Sequence, residues 1–269
     1  MLRRMLVVGY GLAAYAIFLA TFVYTVGFLA NVGVPRGIDD GEVGPLGLAI
    51  LVNAGLLGLF AVQHTVMARP AFKRWLTRFV PEPAERSTFV LAASLVLALL
   101  LWQWQPMPEA VWSIETGWAR TLLYGLYLLG WVTVVGSTFM IDHFDLLGLR
   151  QVVARARNRA HTPPSFQVRW LYRFVRHPIM VGFIIVFWAA PDMSQGRLLF
   201  AVLGTAYILV GVRFEEHDLR QQLGEDYLRY QAEVPQLVPR LRGRPPLPPE
   251  PVDIERPAGQ DRAHGRRGA

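Results

Sequence analysis

Residues 176–216, RHPIMVGFIIVFWAAPDMSQGRLLFAVLGTAYILVGVRFEE, set two apolar runs between charged ends. The runs at 179–190 and 198–212 hold 12 and 15 residues. A helix rises about 1.5 Å per residue, so neither run alone comfortably crosses a hydrocarbon core of about 30 Å. Their joint, AAPDMSQGR, contains Pro191 and Gly196, both breakers. The stretches 177–190 and 198–212 therefore read as a short helical hairpin, either two tilted spans extended by their flanks or a re-entrant unit buried among other helices. A hairpin returns the chain to where it entered. Arg176 and His177 before it and Arg213, Glu215 and Glu216 after it then share one end.

Outward from the hairpin, four longer apolar stretches lie at 6–31, 46–67, 88–104 and 121–141, each long enough to span. The first exceeds a signal-peptide core and lacks a clean small-x-small cleavage site. The expected fold is all-α: a polytopic helical membrane protein with four long spans, the short C-terminal hairpin, five or six crossings and a cytoplasmic C-terminal helix. Residues 1–240 form a single membrane-embedded domain. Residues 241–269, rich in Pro and Arg, read as a disordered tail. No internal repeat is visible, which argues against an inverted-repeat transporter.

Composition agrees with this layout: 53% of the 269 residues are apolar and 17% charged. No Gly-rich dinucleotide fingerprint and no Walker loop occurs, so a cofactor must be held by the helices themselves. The absence of cysteine excludes disulfides, thiolate metal ligands and a Cys nucleophile, so any thiol chemistry belongs to a substrate. The net charge of +7 suggests nucleic acid only until the charges are placed. Of 27 basic residues, 24 lie in the N-terminal stretch, the loops after the second and fourth spans, and the region from Arg213 onward. Arg36, Arg120 and Arg197 alone occupy the alternate loops. Basic residues accumulate on the cytoplasmic side, so both termini are expected there, with lipid rather than nucleic acid as the surrounding partner.

Four polar patches lie at the basic ends of the spans. Gln63 and His64 precede Met67, Ala68 and Arg69 near the end of the second span; a capped helix end is the plain structural explanation. The stretch IDHFDLLGLRQ places Asp142, His143, Asp145, Arg150 and Gln151 directly after the fourth span, more ionisable groups than an interfacial anchor needs. In LYRFVRHPIMVG, Arg176 and His177 precede Pro178, which suits a first helical position, and Gly182 allows close approach of a ligand or a helix. In VRFEEHDLRQQLGEDYLRY, Arg213, Glu215, Glu216 and Asp218 follow the second hairpin run. Carboxylates near a helix C-terminus oppose its dipole, so a cationic partner is expected beside them. Arginines of neighbouring segments could supply that cation without any ligand.

The sequence RHP, the glycine four residues later, the hairpin and the Glu-Glu pair resemble the C-terminal signature of the isoprenylcysteine carboxyl methyltransferase and phospholipid methyltransferase superfamily. The resemblance covers about residues 172–239. The stretches GLFAVQHTVMARPAFKRW, VPEPAERSTFVL and DHFDLLGLRQV, together with the hairpin, are similar to bacterial methanethiol S-methyltransferases, relatives of NnrU-type membrane proteins.

This likeness implies methyl transfer from S-adenosylmethionine to a small thiol, giving dimethyl sulfide from methanethiol, without a metal. It implies cofactor binding by Arg176, His177, Pro178, Gly182, Arg213, Glu215 and Glu216, with the arginine, imidazole and helix start receiving a carboxylate and the acids an amine or ribose hydroxyls. Met180 stands where many superfamily members carry Tyr, so that aromatic contact is not carried over. A thiol reacts as thiolate, which gives work to a base or a positive field. His64 and His143 are the candidate bases, Asp145 the orienter and Arg150 the electrostatic stabiliser. The rival readings are a non-catalytic assembly or transport factor of the NnrU type, a sterol-reductase-like enzyme, and a methyltransferase acting on a prenyl-cysteine or lipid. Oligomeric state is open.

Overall fold

The structure, a computed structural model, describes residues 2–162 and 166–240. The expected tail at 241–269 lies outside the described residues. Helices α1 (Leu2–Ala30), α2 (Leu46–Ala68), α4 (Glu82–Gln103) and α5 (Gly117–Ile141) contain the four long apolar runs. Each exceeds its apolar run at one end or both, because polar residues at a span's end still take helical geometry. Short helix α3 (Pro70–Leu76) follows α2. Helices α6 (His143–Leu146) and α7 (Leu149–Ala156) follow α5, and a 3₁₀ turn covers Trp170–Arg173.

The hairpin departs from the expected symmetric pair of short arms. Its first arm, α8 (Pro178–Trp188), has 11 residues, starting on Pro178 and ending ahead of Pro191. Its second arm, α9, runs Gln195–Leu223 for 29 residues, so five helices, not four, are long and apolar enough to cross a membrane. The apolar run stops at Val212, but the helix continues through Arg213–Leu223 because Arg, Glu, Gln and Leu are good helix formers. Gly224, at φ 58°, ends it, and α10 (Glu225–Glu233) follows.

At the hairpin joint, β2 (Asp192–Ser194) pairs antiparallel with β1 (Ala110–Ser113), a two-stranded sheet that no sequence period announced. This is the end holding the three isolated arginines, and each is tied down. Arg36 donates to the Trp102 and Trp104 carbonyls at 3.1 and 2.7 Å, satisfying acceptors that a helix C-terminus leaves open. Arg120 pairs with Asp192 at 2.7 Å, and Arg197 donates to the carbonyls of Asp192 and Leu29.

Packing is closest between α5 and α8. A Cβ on Gly182 would stand 2.8 Å from the Gly130 carbonyl oxygen, and one on Gly130 would stand 2.9 Å from that of Gly182. Small residues facing each other let two helix backbones touch. Helix α9 lies against α8 and α2, α2 against α4, and α4 against α1. Phe28, Leu100, Trp104, Trp131, Val186 and Phe200 form the core between them. Val23, Leu51, Val62, Leu128 and Val132 remain outward, as lipid-facing positions do. Helix α7 lies across the basic end, with Val152 against Gly11 and Gly148 against Ser87; Gly148, at φ 87°, leaves no room for a Cβ there.

Candidate functional site

The Pro178 turn brings the third and fourth patches together. Glu216 is buried, and its Oε1 accepts from Arg176 Nε at 2.7 Å and Nη2 at 2.6 Å. His177 Nε2 lies 3.2 Å from the same oxygen, while Gln231 Nε2 donates to Oε2 at 2.8 Å. The cation expected beside the acids is therefore Arg176. Arg176 Nη1 donates to the carbonyls of Gln231 and Val234, and the backbone amides of Arg176 and His177 donate to the carbonyls of Pro235 and Gln236 at 2.9 and 3.2 Å. The segment after α10 is thus strapped to the entrance of α8.

These bonds redistribute the roles expected from sequence. The guanidinium of Arg176 is engaged within the protein at all three nitrogens and holds Glu216. Gly182 admits α5, the helix alternative among its two expected uses. Arg213 is exposed on α9 and joins none of these pairs. Glu215 is the acid left available: half exposed, its Oε2 is 3.4 Å from His177 Nδ1. His177 thereby bridges a saturated carboxylate and an accessible one.

The charge of Glu215 reaches His64 on α2, Tyr207 on α9, and Tyr172 in the 3₁₀ turn. Burial first, and then this carboxylate, raise the Tyr172 phenol far above its ordinary range, so it stays a neutral O–H donor. His64 packs against Phe60 and Phe89, with ring centroids 5.4 and 4.9 Å away. Its Nδ1 is buried without a hydrogen-bond partner, as is Gln63 Oε1 beside it. Buried polar atoms normally have partners, so both atoms are open to a partner from outside the chain, water or ligand. Arg69 fixes the end of α2 to α9 through Asp218 at 2.9 Å and the Phe214 ring at 5.1 Å.

The second patch assembles differently from its expected triad. His143 stacks on Phe139 at 4.3 Å. Its Nδ1 meets Thr138 Oγ1 at 2.8 Å and its Nε2 meets the Tyr15 hydroxyl at 2.9 Å. Thr138 spends its only hydroxyl proton on the Val135 carbonyl, so His143 must donate from Nδ1 and accept at Nε2. Both ring nitrogens are engaged, and burial lowers the pKa of this imidazole. Asp145 does not orient His143. It pairs with His161 Nε2 at 2.5 Å and accepts from Gln151. Arg150 is held by Asp142 at 2.6 Å.

The residues at Glu215 suit a methylsulfonium donor. The Glu215 carboxylate, whose charge reaches two tyrosines, favours a cation, and on α2 the Gln63 oxygen is an acceptor without a partner. Among the described residues, no group of three or more His, Asp or Glu is arranged to hold a metal ion. Sequence reasoning missed Gln231, Tyr172 and Tyr207, whose chemistry is ordinary until the fold places them; it also missed His161.

The profile of the NnrU protein family matches residues 52–210. Methanethiol S-methyltransferase of Mycobacterium tuberculosis (strain ATCC 25618 / H37Rv) is 52% identical over 238 residues, 88% of this chain and 98% of that protein. Methanethiol S-methyltransferase 2 of Bradyrhizobium diazoefficiens is 50% identical over 91% of this chain and 94% of its own. Methanethiol S-methyltransferase of a Pseudomonas strain, GM41(2012), is 51% identical over 86% and 89%. No solved structure matches the chain.

Proposed function

The chain belongs to the NnrU protein family, and from that premise we propose that it is a multi-pass membrane S-methyltransferase that converts methanethiol to dimethyl sulfide. The observation that carries the acceptor is its near full-length identity of about one half to three proteins of that name. The basic end, with 24 of the 27 basic residues in the segments assigned to it, is the cytoplasmic side, and both termini lie there.

S-adenosylmethionine supplies an electrophilic methyl group on a positively charged sulfur. Glu215 binds the ammonium or ribose hydroxyls of that donor, and Tyr172 and Tyr207 supply aromatic surface around the charge. Arg176 and Glu216 hold His177 and the start of α8 in place, so that Glu215 is oriented before the donor arrives. The orphaned Nδ1 of His64 takes the thiol proton. An alkyl thiol is at least as weakly acidic as free Cys, with a pKa of about 8.5, so a base in a site that excludes water raises the reactive thiolate fraction. His143 holds α1 to α5, because both its nitrogens are occupied.

The test is headspace gas chromatography of membranes containing the protein, incubated with S-adenosylmethionine and methanethiol. Dimethyl sulfide formation that is lost in Glu215→Ala supports the reading. Methylation of a prenyl-cysteine or lipid with no dimethyl sulfide would overturn the acceptor. Purified protein with no affinity for S-adenosylhomocysteine would overturn the enzyme reading.

A further inference from the structure

At the basic end, a cavity of about 470 Å³ opens between α6, α7 and the chain that follows. Phe144, Leu149 and Val153 supply its apolar lining, and Arg150, Arg157 and Arg159 its cationic one. Arg150 is neutralised by Asp142, but among the described residues Arg157 and Arg159 have no acidic partner. The depth of the cavity follows from its neighbours. Phe144 stands three residues beyond Ile141, the last residue of a spanning helix, and is half exposed. Helix α7 is held at the second turn of α4 by Gly148 on Ser87, and at the third turn of α1 by Val152 on Gly11. The apolar lining of the cavity thus lies beside the ends of spanning helices, where the border between a hydrocarbon core and headgroups is expected, and Arg157 and Arg159 follow α7.

We propose that this cavity is a binding site for an anionic phospholipid, with the phosphate on Arg157 and Arg159 and the upper acyl chain against Phe144 and Val153. Free surface arginines would need no apolar lining, and a lipid-facing helix would need no paired cations; the combination matches both halves of one amphiphile. None of the residues lining the cavity is among those assigned to the donor or the thiol, so its occupant is structural or regulatory.

The full-length protein is reconstituted in nanodiscs of dioleoyl phosphatidylcholine carrying a small fraction of dioleoyl phosphatidylglycerol, and retained lipid is counted by native mass spectrometry after gentle extraction. The expected wild-type preference for phosphatidylglycerol is about 30-fold, or about 2 kcal/mol for two arginines. It should fall to near unity in Arg157→Gln/Arg159→Gln. Phe144→Ala, which keeps every charge, should lower retention of the diacyl lipid without abolishing the preference. Equal preference in wild type and the double variant overturns the proposal, as does no preference in either. Competition by glycerol 1-phosphate at concentrations that displace the lipid would assign a soluble anion instead and also overturn it. If the double variant does not fold, Arg159→Gln alone, outside α7, takes its place, with retention expected to fall about fivefold.

Discussion

Arg176 and Glu216, 40 residues apart in sequence, meet at 2.6 Å across the base of the α8–α9 hairpin, with their side chains only 8% and 5% exposed. Two charges removed from water hold together only if their remaining donors and acceptors are satisfied. Here they are, by the carbonyls of Gln231 and Val234 on one side and by His177 and Gln231 on the other. The pair links α8, α9 and the strap after α10 at the point where Glu215 faces outward.

Removing one partner leaves a buried charge unpaired. Arg176→Ala should therefore cost about 3–5 kcal/mol of stability, read as a fall in the detergent unfolding midpoint. The double variant Arg176→Met/Glu216→Leu should recover most of that loss but not the affinity for S-adenosylhomocysteine, because His177 and Glu215 lose their anchor. Recovery of binding together with stability would show that the pair does nothing for the site.

Glu215 is half exposed and lightly bonded, so its replacement should leave the fold intact. Glu215→Gln loses a charge-assisted contact worth about 1.5–3 kcal/mol, so KM for S-adenosylmethionine should rise by roughly 10- to 100-fold with an unchanged unfolding midpoint. Isothermal titration with S-adenosylhomocysteine checks it. An unaltered affinity would remove Glu215 from the binding set.

Gly182 meets the backbone of α5. In Gly182→Ala the new Cβ would stand 2.8 Å from the Gly130 carbonyl oxygen and 2.9 Å from the Val134 amide nitrogen, both backbone atoms that cannot swing aside. The expected cost is about 1–3 kcal/mol, measured by the unfolding midpoint. Gly130→Ala should behave alike, and the two losses should not add, since either one already forces the helices apart.

The spans were legible because apolar runs of that length have few other uses. The true length of α9 was not, since hydropathy falls at Arg213 while helix propensity continues to Leu223. The meeting of Arg176, His177, Glu215 and Glu216 could be anticipated from the hairpin alone. The direction of Arg176 could not, because its carbonyl acceptors come from Gln231 and Val234, 55 and 58 residues away. The expected pairing of His143 with Asp145 rested on nearness in sequence. Residues two apart on a helical turn point away from each other, and Asp145 instead found His161.

The two histidines put forward as bases can be separated by pH. His64 has a free, buried Nδ1, whereas both nitrogens of His143 are engaged. His64→Gln should lower kcat/KM about 100-fold or more at neutral pH, with the deficit shrinking as the pH approaches the thiol's own pKa, where no base is needed. His143→Gln should leave that profile unchanged and alter stability instead. Burial depresses the folded pKa of His143 below its ordinary 6.5, so below 6.5 the unfolded chain takes up the proton more readily. The stabilising share of neutral His143 is therefore full above 6.5 and is lost as the pH falls through that value and past the lower folded one. Wild-type unfolding midpoints should drop over this range, and His143→Gln should flatten the drop. A flattened rate profile in His143→Gln, with none in His64→Gln, would exchange the two assignments.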